Sequence, residues 1–194
     1  IVSLLFRNSP EQLRFILVDP KRVELTLYNG IPHLITPVIT EPKKALKSLG
    51  WAVKEMARRY DILQAEGIQG LDLYHSNVYQ PAKKAWEEKG SPEDEKDNLP
   101  EPLPYIVIIL DELNDLMQAY PRELEALIVR LAQMSRAVGI HLLLATQRPS
   151  VNVITGTIKA NVPTRIALNV ASQIDSRTII DQKKKKKLLG QGDM

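Results

Sequence analysis

The stretch Tyr105-Ile-Val-Ile-Ile-Leu-Asp111-Glu112 constrains this chain more than any other. From Ile106 to Leu110 every residue is a branched aliphatic, which leaves no polar face. A strand built this way is buried on both sides, as parallel strands covered by helices are. Two acids follow at once, at the carboxyl end of the strand, where open α/β sheets bind their ligands. In a nucleotide-hydrolysing P-loop fold such a pair divides the work. The first carboxylate holds Mg²⁺ and the second orients and deprotonates the attacking water. The same residues also suit a buried strand that turns into a helix at Asp111, with the acids as solvated charges favoured by the helix dipole. Both readings stand on this stretch alone.

Length and composition narrow the setting. With 194 residues the chain fits one domain, residues 1–194, and can bury a substantial core; its 44% apolar content is ordinary for a globular protein. It has no cysteine, which excludes disulfides, thiolate metal sites and a cysteine nucleophile. No signal peptide or spanning segment is visible, since the longest apolar runs are strand-sized. The net charge of +3 needs correction: without the run Lys183–Lys187, 21 cations face 23 acids, a balance of −2. The basic pI of about 9.0 therefore reflects one short run and not a general nucleic-acid-binding surface.

Along the chain, Ile1 to Phe6 reads as the tail of a helix. Arg14 to Asp19 reads as a short buried strand ending in an acid, and Gly30 to Glu41 as a proline-punctuated loop. Between Pro42 and Glu66, apolar residues from Ala45 to Leu63 recur every three or four positions, predicting an amphipathic helix that stops at Gly67. A less regular helical piece follows over Leu71 to Lys89. Residues 90–104, rich in Pro, Asp and Glu, read as an exposed, mobile connection. A short helix to Ala119 and a longer one from Pro121 to Arg136, stopping near Gly139, come next. Ile140 to Ala145 and Arg165 to Val170 are the last two expected strands. Strands alternating with helices predict an α/β fold with a mostly parallel sheet.

Three strand ends finish in polar groups: Asp19-Pro-Lys21, Asp111-Glu112 and Thr146-Gln147. In a parallel sheet they converge on one edge, where Gln147 is placed either to sense a terminal phosphate or simply to finish its strand with a satisfied amide.

Ordered blocks running from residue 1 to the end carry a resemblance. They include Val18-Asp-Pro-Lys21, Gly30-Ile-Pro-His33, Tyr105 to Glu112, Arg136-Ala-Val-Gly-Ile-His141, Ala145-Thr-Gln-Arg-Pro-Ser150, Ile158-Lys-Ala-Asn161, Asp175-Ser-Arg177 and Leu188-Leu-Gly-Gln-Gly-Asp-Met194. Together they resemble the motor domain of the FtsK/SpoIIIE DNA translocases. The resemblance implies a RecA-like P-loop NTPase core, a hexameric ring around double-stranded DNA, and ATP-driven translocation in chromosome segregation at cell division. Carried over by position, Asp111 is the Walker B carboxylate that binds Mg²⁺ and nucleotide, Glu112 the catalytic base and Gln147 the sensor. Arg136 matches the arginine inserted into a neighbouring subunit's site, a role suited to a permanently charged, fork-shaped side chain. Arg148, Lys159 and Arg177 fall at DNA-contacting positions on the loop after the Gln147 strand and the turn after the Val170 strand.

There are departures from the family pattern. The motif Gly-x-x-x-x-Gly-Lys-Ser/Thr is absent, together with the strand that feeds it, so the expectation is that this segment alone neither binds ATP tightly nor hydrolyses it. Lys183–Lys187 replaces small residues and an acid, and Gln173 stands where relatives often carry lysine. Two other functions fit the same residues: a non-catalytic assembly or DNA-binding module, and a related ATPase moving conjugative DNA or secreted protein. The resemblance places the motor in the cytoplasm, with any membrane anchor of the parent protein outside these residues.

Overall fold

The computed structural model describes residues 1–170, 172–181 and 192–194. Three strands, β1 (Leu13–Val18), β2 (Tyr105–Leu110) and β3 (Ile140–Leu144), form a parallel sheet in that spatial order. Val18 pairs with Leu110 and Leu110 with Leu144, so the three carboxyl ends lie level and the residues that follow share one edge. The run Ile106–Leu110 lies in the central strand, as a segment without a polar face must.

The helices are α1 (Val2–Leu5), α2 (Pro42–Ala65), α3 (Leu71–Tyr74), α4 (Gln80–Glu88), α5 (Leu113–Ala119), α6 (Pro121–Met134), α7 (Gly156–Asn161) and α8 (Gln173–Ile180). Helix α2 buries Ala45, Leu49, Ala52, Met56 and Leu63, the stripe that the apolar spacing predicts. With α5 and α6 it covers one face of the sheet, packing Leu49, Met56, Leu116, Ile128 and Leu131 on Ile16, Val18, Ile106, Ile108 and Leu110. Because strand side chains alternate, Leu13, Phe15 and Leu17 turn to the other face. There they meet Leu25, Val38 and Ile109, with Ile1 and Leu5 packed against them, so a thinner layer of loop and α1 closes that side.

Three expectations need correction. No strand forms over Arg165–Val170. No described strand runs beside the outer edge of β3 to supply a ladder, and Arg165 instead donates from Nη1 to the Ile179 carbonyl at 3.0 Å, drawing the segment towards α8. Arg177 therefore sits within α8, not on a turn, and Lys159 sits on α7, not on a loop. Both helices are short and carry a side-chain N-cap: Thr155 Oγ1 accepts from the Ile158 amide and Ser172 Oγ from the Asp175 amide. Finally, residues 90–104 are not a bare connection. They contain a 3₁₀ helix over Glu93–Asn98, and Leu103 is fully buried. The bidentate pair of Arg58 with Glu101 fastens the segment to α2. The Lys183–Lys187 run, Leu188–Gln191 and the side chain of Gln173 lie outside the described residues.

Candidate active site

Each strand delivers its acid or polar group by the same local logic. The strand ends, the chain leaves the sheet, and the first backbone amide beyond it is still bonded, after β1 from Asp19 to the Ile39 carbonyl at 2.8 Å and after β2 and β3 to the neighbouring strand. Asp111 donates from its amide to the Val18 carbonyl at 2.9 Å, and Ala145 to the Leu110 carbonyl at 2.9 Å. This brings Asp19, Asp111, Glu112, Thr146 and Gln147 together on one edge.

Glu112 is the fixed point. Its backbone is left-handed, with φ of +50°, and its side chain is 1% exposed. An ordinary residue in that conformation is strained and persists only where its surroundings hold it. Here the next amide, Leu113, donates to the Ala145 carbonyl at 2.7 Å and locks the turn to the end of β3. Both carboxylate oxygens are bonded. Thr146 Oγ1 donates to Oε1 at 2.7 Å, while Lys21 Nζ at 2.9 Å and the Gln147 amide at 3.3 Å donate to Oε2. Burial pushes the carboxyl up, but the bonds from Thr146, Lys21 and Gln147 outweigh it and hold Glu112 below the usual glutamate range. Glu112 is thus an oriented anion at neutral pH. The raised proton affinity of Lys21 is the counterpart of the same bond.

Asp111 differs. Burial first, then the charges of Asp19, Glu24 and Glu112, raise its pKa, with Lys21 opposing. Among the described residues no donor bonds its carboxylate, which is half-buried beside three other acids. That is an environment in which a cation is favoured. No group of three or more ligating side chains occurs among the described residues. Asp19 is fully buried and closes its own turn, its Oδ2 accepting from the Glu24 amide at 3.1 Å and the Leu25 amide at 2.9 Å.

Arg136 lies at the opposite end of the sheet, on the 3₁₀ turn Ser135–Val138 that leads into β3. That turn is firmly built. Ser135 Oγ donates to the Ile140 carbonyl at 2.7 Å, and the buried Arg59 donates to the Val138 carbonyl at 2.9 Å while pairing with Glu55 at 2.8 Å. Arg136 itself is exposed and lines a cleft with Leu71, Asp72, Tyr105 and His141. This cleft is at the amino ends of the strands, away from the acids.

The three expected DNA-contacting cations separate into two kinds. Arg148 and Arg177 are exposed, and the Arg148 amide donates to Thr146 Oγ1 at 3.1 Å. Lys159 is engaged within the chain. Its Nζ lies 2.5 Å from Asp181 Oδ1 and 3.2 Å from the Thr178 carbonyl, while Arg165 takes the other Asp181 oxygen at 2.7 Å.

A family model described as "FtsK/SpoIIIE family" matches residues 1–151. The chain belongs to the FtsK/SpoIIIE family. Among full-chain matches in this family, a DNA translocase FtsK from Caldanaerobacter subterraneus subsp. tengcongensis is 55% identical over 194 residues, all of this chain and 24% of the relative. DNA translocase FtsK from Pasteurella multocida is 52% identical over 204 residues, covering all of this chain and 22% of that one. The chain thus spans about a quarter of the length of the relatives it matches. In structure it is similar to the pCW3 conjugation coupling protein TcpA in its ATPγS-bound monomer form, with a TM-score of 0.67 and 28% identity over 90% of this chain and 46% of that one. The Type VII secretion ATPase EccC of Thermomonospora curvata matches with a TM-score of 0.58 and 28% identity over 91% of this chain and 19% of that one. The fold of this FtsK/SpoIIIE chain is accordingly the RecA-like P-loop ATPase core, with helices flanking a parallel sheet.

Of the residues singled out from sequence, Asp111, Glu112 and Gln147 meet at one edge, Arg136 stands apart, and Gln147 contributes its backbone amide to the site while its side chain is exposed. Lys21 and Thr146 were visible only as polar strand ends. Their bonds to Glu112 span 91 and 34 residues, which no local pattern reports.

Proposed function

We propose that this chain is the nucleotide-hydrolysing core of an ATP-driven motor that moves along double-stranded DNA, acting in chromosome segregation at cell division. The supporting observation is Glu112, an anion buried, strained and bonded at both oxygens beside the half-buried Asp111. Asp111 would hold Mg²⁺, and the ion supplies charge stabilisation on the phosphates when bound. Glu112 orients the attacking water and accepts its proton, and Gln147, at the end of β3, is the sensor of the terminal phosphate. Since the sequence contains no Gly-x-x-x-x-Gly-Lys-Ser/Thr, the 194-residue segment by itself is expected to be inactive, and the tests belong in the full-length protein.

Arg136 serves a neighbouring subunit in a ring, for which a hexamer is expected. The six residues of β2 separate its end of the sheet from Glu112, roughly 20 Å at about 3.3 Å per residue, too far for the side chain to reach its own site. Arg148 and Arg177 meet the DNA backbone without sequence readout, and Lys159 joins them by exchanging Asp181 for phosphate. No described helix is long and apolar enough to cross a membrane. The motor works in the cytoplasm, and any septal anchor belongs to other parts of the protein.

Replacing Glu112 by Gln in the full-length protein should preserve ATP binding and lower turnover by about 10²–10⁴-fold. Unchanged hydrolysis would remove Glu112 as the base. Arg136→Ala should be inactive alone and regain activity when mixed with Asp111→Ala, because some interfaces then combine an intact acid with an intact arginine. Failure of every mixture would assign Arg136 to its own subunit. A motor for conjugative DNA is the second reading, favoured by the likeness to TcpA at 28% identity, against full-chain matches at about twice that identity to proteins named DNA translocases.

A further inference from the structure

We propose that Lys21 is a positioning residue for the hydrolytic step: it holds the Glu112 carboxylate in the plane from which that group meets the attacking water. The inference rests on the reading of Glu112 as the base and deepens it.

The geometry begins at Asp19. Its carboxylate is fully buried and accepts from the Glu24 and Leu25 amides, and its carbonyl accepts from the Arg22 amide at 3.2 Å. These bonds close the chain from Asp19 to Leu25 into a compact turn at the end of β1. Lys21 rides on that turn, and its Nζ reaches from the end of β1 to Glu112 Oε2, just past the end of the adjacent β2, at 2.9 Å. The two other donors to Glu112, Thr146 Oγ1 and the Gln147 amide, both come from the end of β3. Glu112 is thus gripped from both neighbouring strands, and among the described residues Lys21 alone supplies the grip from the β1 side.

Charge and valence make that grip specific. A carboxylate offers about four lone-pair positions. Three are taken here, which leaves one for a water. Without Lys21, Oε2 would keep only the 3.3 Å bond from the Gln147 amide, and the carboxylate could turn about the axis that Thr146 fixes through Oε1. Lys21 is also the cation directly bonded to Glu112, in a neighbourhood that holds Asp111 and Asp115 as well as the more distant charge of Arg148, so its loss leaves Glu112 without a bonded cation. The Lys21 side chain is 37% exposed, so substitution there removes little packing.

The test is steady-state ATP hydrolysis by the full-length protein with duplex DNA present, comparing wild type, Lys21→Met, Lys21→Arg, Glu112→Gln and the Lys21→Met/Glu112→Gln double variant. Lys21→Met is expected to lower kcat about 10- to 100-fold with KM for ATP nearly unchanged, the signature of a misplaced reacting group. Lys21→Arg, which keeps the charge and the donors, should recover most of the rate, and Lys21→Met should add nothing in the Glu112→Gln background. If Glu112→Gln abolishes turnover while Lys21→Met hydrolyses at or above the wild-type rate, Lys21 has no positioning role and the reading of Glu112 survives. A raised KM with unchanged kcat would overturn the inference by making Lys21 a nucleotide contact. Full turnover in Glu112→Gln would remove the base, and the role of Lys21 with it.

Discussion

The two ends of the sheet hold their functional side chains in opposite ways. At the carboxyl end the side chain itself is fixed: Glu112 is 1% exposed and both its oxygens are bonded. At the amino end the backbone is fixed and the side chain is left out. Arg59, Ser135 and Gly139 hold the turn Ser135–Val138, while Arg136 stands exposed on it, its guanidinium bonded by none of the described residues. The difference suits the roles proposed for Glu112 as base and for Arg136 in a neighbouring subunit's site. A water comes to the base, so the base gains from being immobile. An arginine that serves another subunit must reach outwards, so the chain can fix only the point from which it reaches.

The amino end breaks most readily at Gly139. Its φ is +73°, and an added Cβ would run into the Leu71 side chain and press on the Tyr105 ring. Gly139→Ala therefore combines a left-handed penalty of about 1–2 kcal/mol with overpacking of about 1–3 kcal/mol. The expected loss of about 2–5 kcal/mol is a large part of a typical domain's stability and should appear as a lower denaturation midpoint. The Arg136 turn would loosen with it. A Gly139→Ala protein with wild-type stability would mean that the turn is not a rigid base for Arg136.

At the carboxyl end the comparison is sharpened by Thr146. Thr146→Val keeps the shape but removes the hydroxyl that donates to Glu112 Oε1 and accepts from the Arg148 amide. Leaving a buried carboxylate short of a donor costs about 1–3 kcal/mol. Turnover should fall, and so should its stimulation by DNA, because Arg148 is a proposed DNA contact two hydrogen bonds from the proposed base Glu112. Hydrolysis assays with and without duplex read both effects. Loss of rate with DNA stimulation intact would confine Thr146 to holding Glu112.

What the sequence made legible follows the same division. Strands β1, β2 and β3 were readable as short apolar runs, as strands covered on both faces leave them, and helices α2 and α6 because burial of one face recurs every three to four residues. The acids at the end of β2 were readable because they follow an apolar run. Helices α7 and α8 escaped because each is too short to show a period; the signals available were the N-caps, with Ser172 three residues before Asp175 as in a capping box. The strand expected at Arg165–Val170 failed for a different reason. Its composition suits a strand, but a strand also needs a neighbour, and no described strand lies beside it. The bonds that make Glu112 a site, from Lys21 and Thr146, are long-range in sequence and became visible only with the register of the sheet.

The smallest effect tests whether the amino-end cleft has an electrostatic order of its own. There the Tyr105 hydroxyl donates to Asp72 Oδ1, and the Tyr105 ring stacks on His141 with centroids 6.1 Å apart. Burial, and then the bond and charge of Asp72, push the Tyr105 pKa up to about 12 from 10.0. The sign is that of a group whose neutral form is favoured in the folded state. Its contribution is complete below about pH 10 and is lost as pH rises towards 12, because the unfolded chain releases the proton first. Tyr105 is only partly buried, so solvent screening keeps that contribution small. Asp72→Asn removes the charge but leaves the burial, so phenolate absorbance should appear at lower pH than in the parent without reaching the behaviour of a free tyrosine. An identical alkaline titration in the two proteins would assign the whole shift to burial. The amino-end cleft would then have no electrostatic order comparable to that of the acid edge.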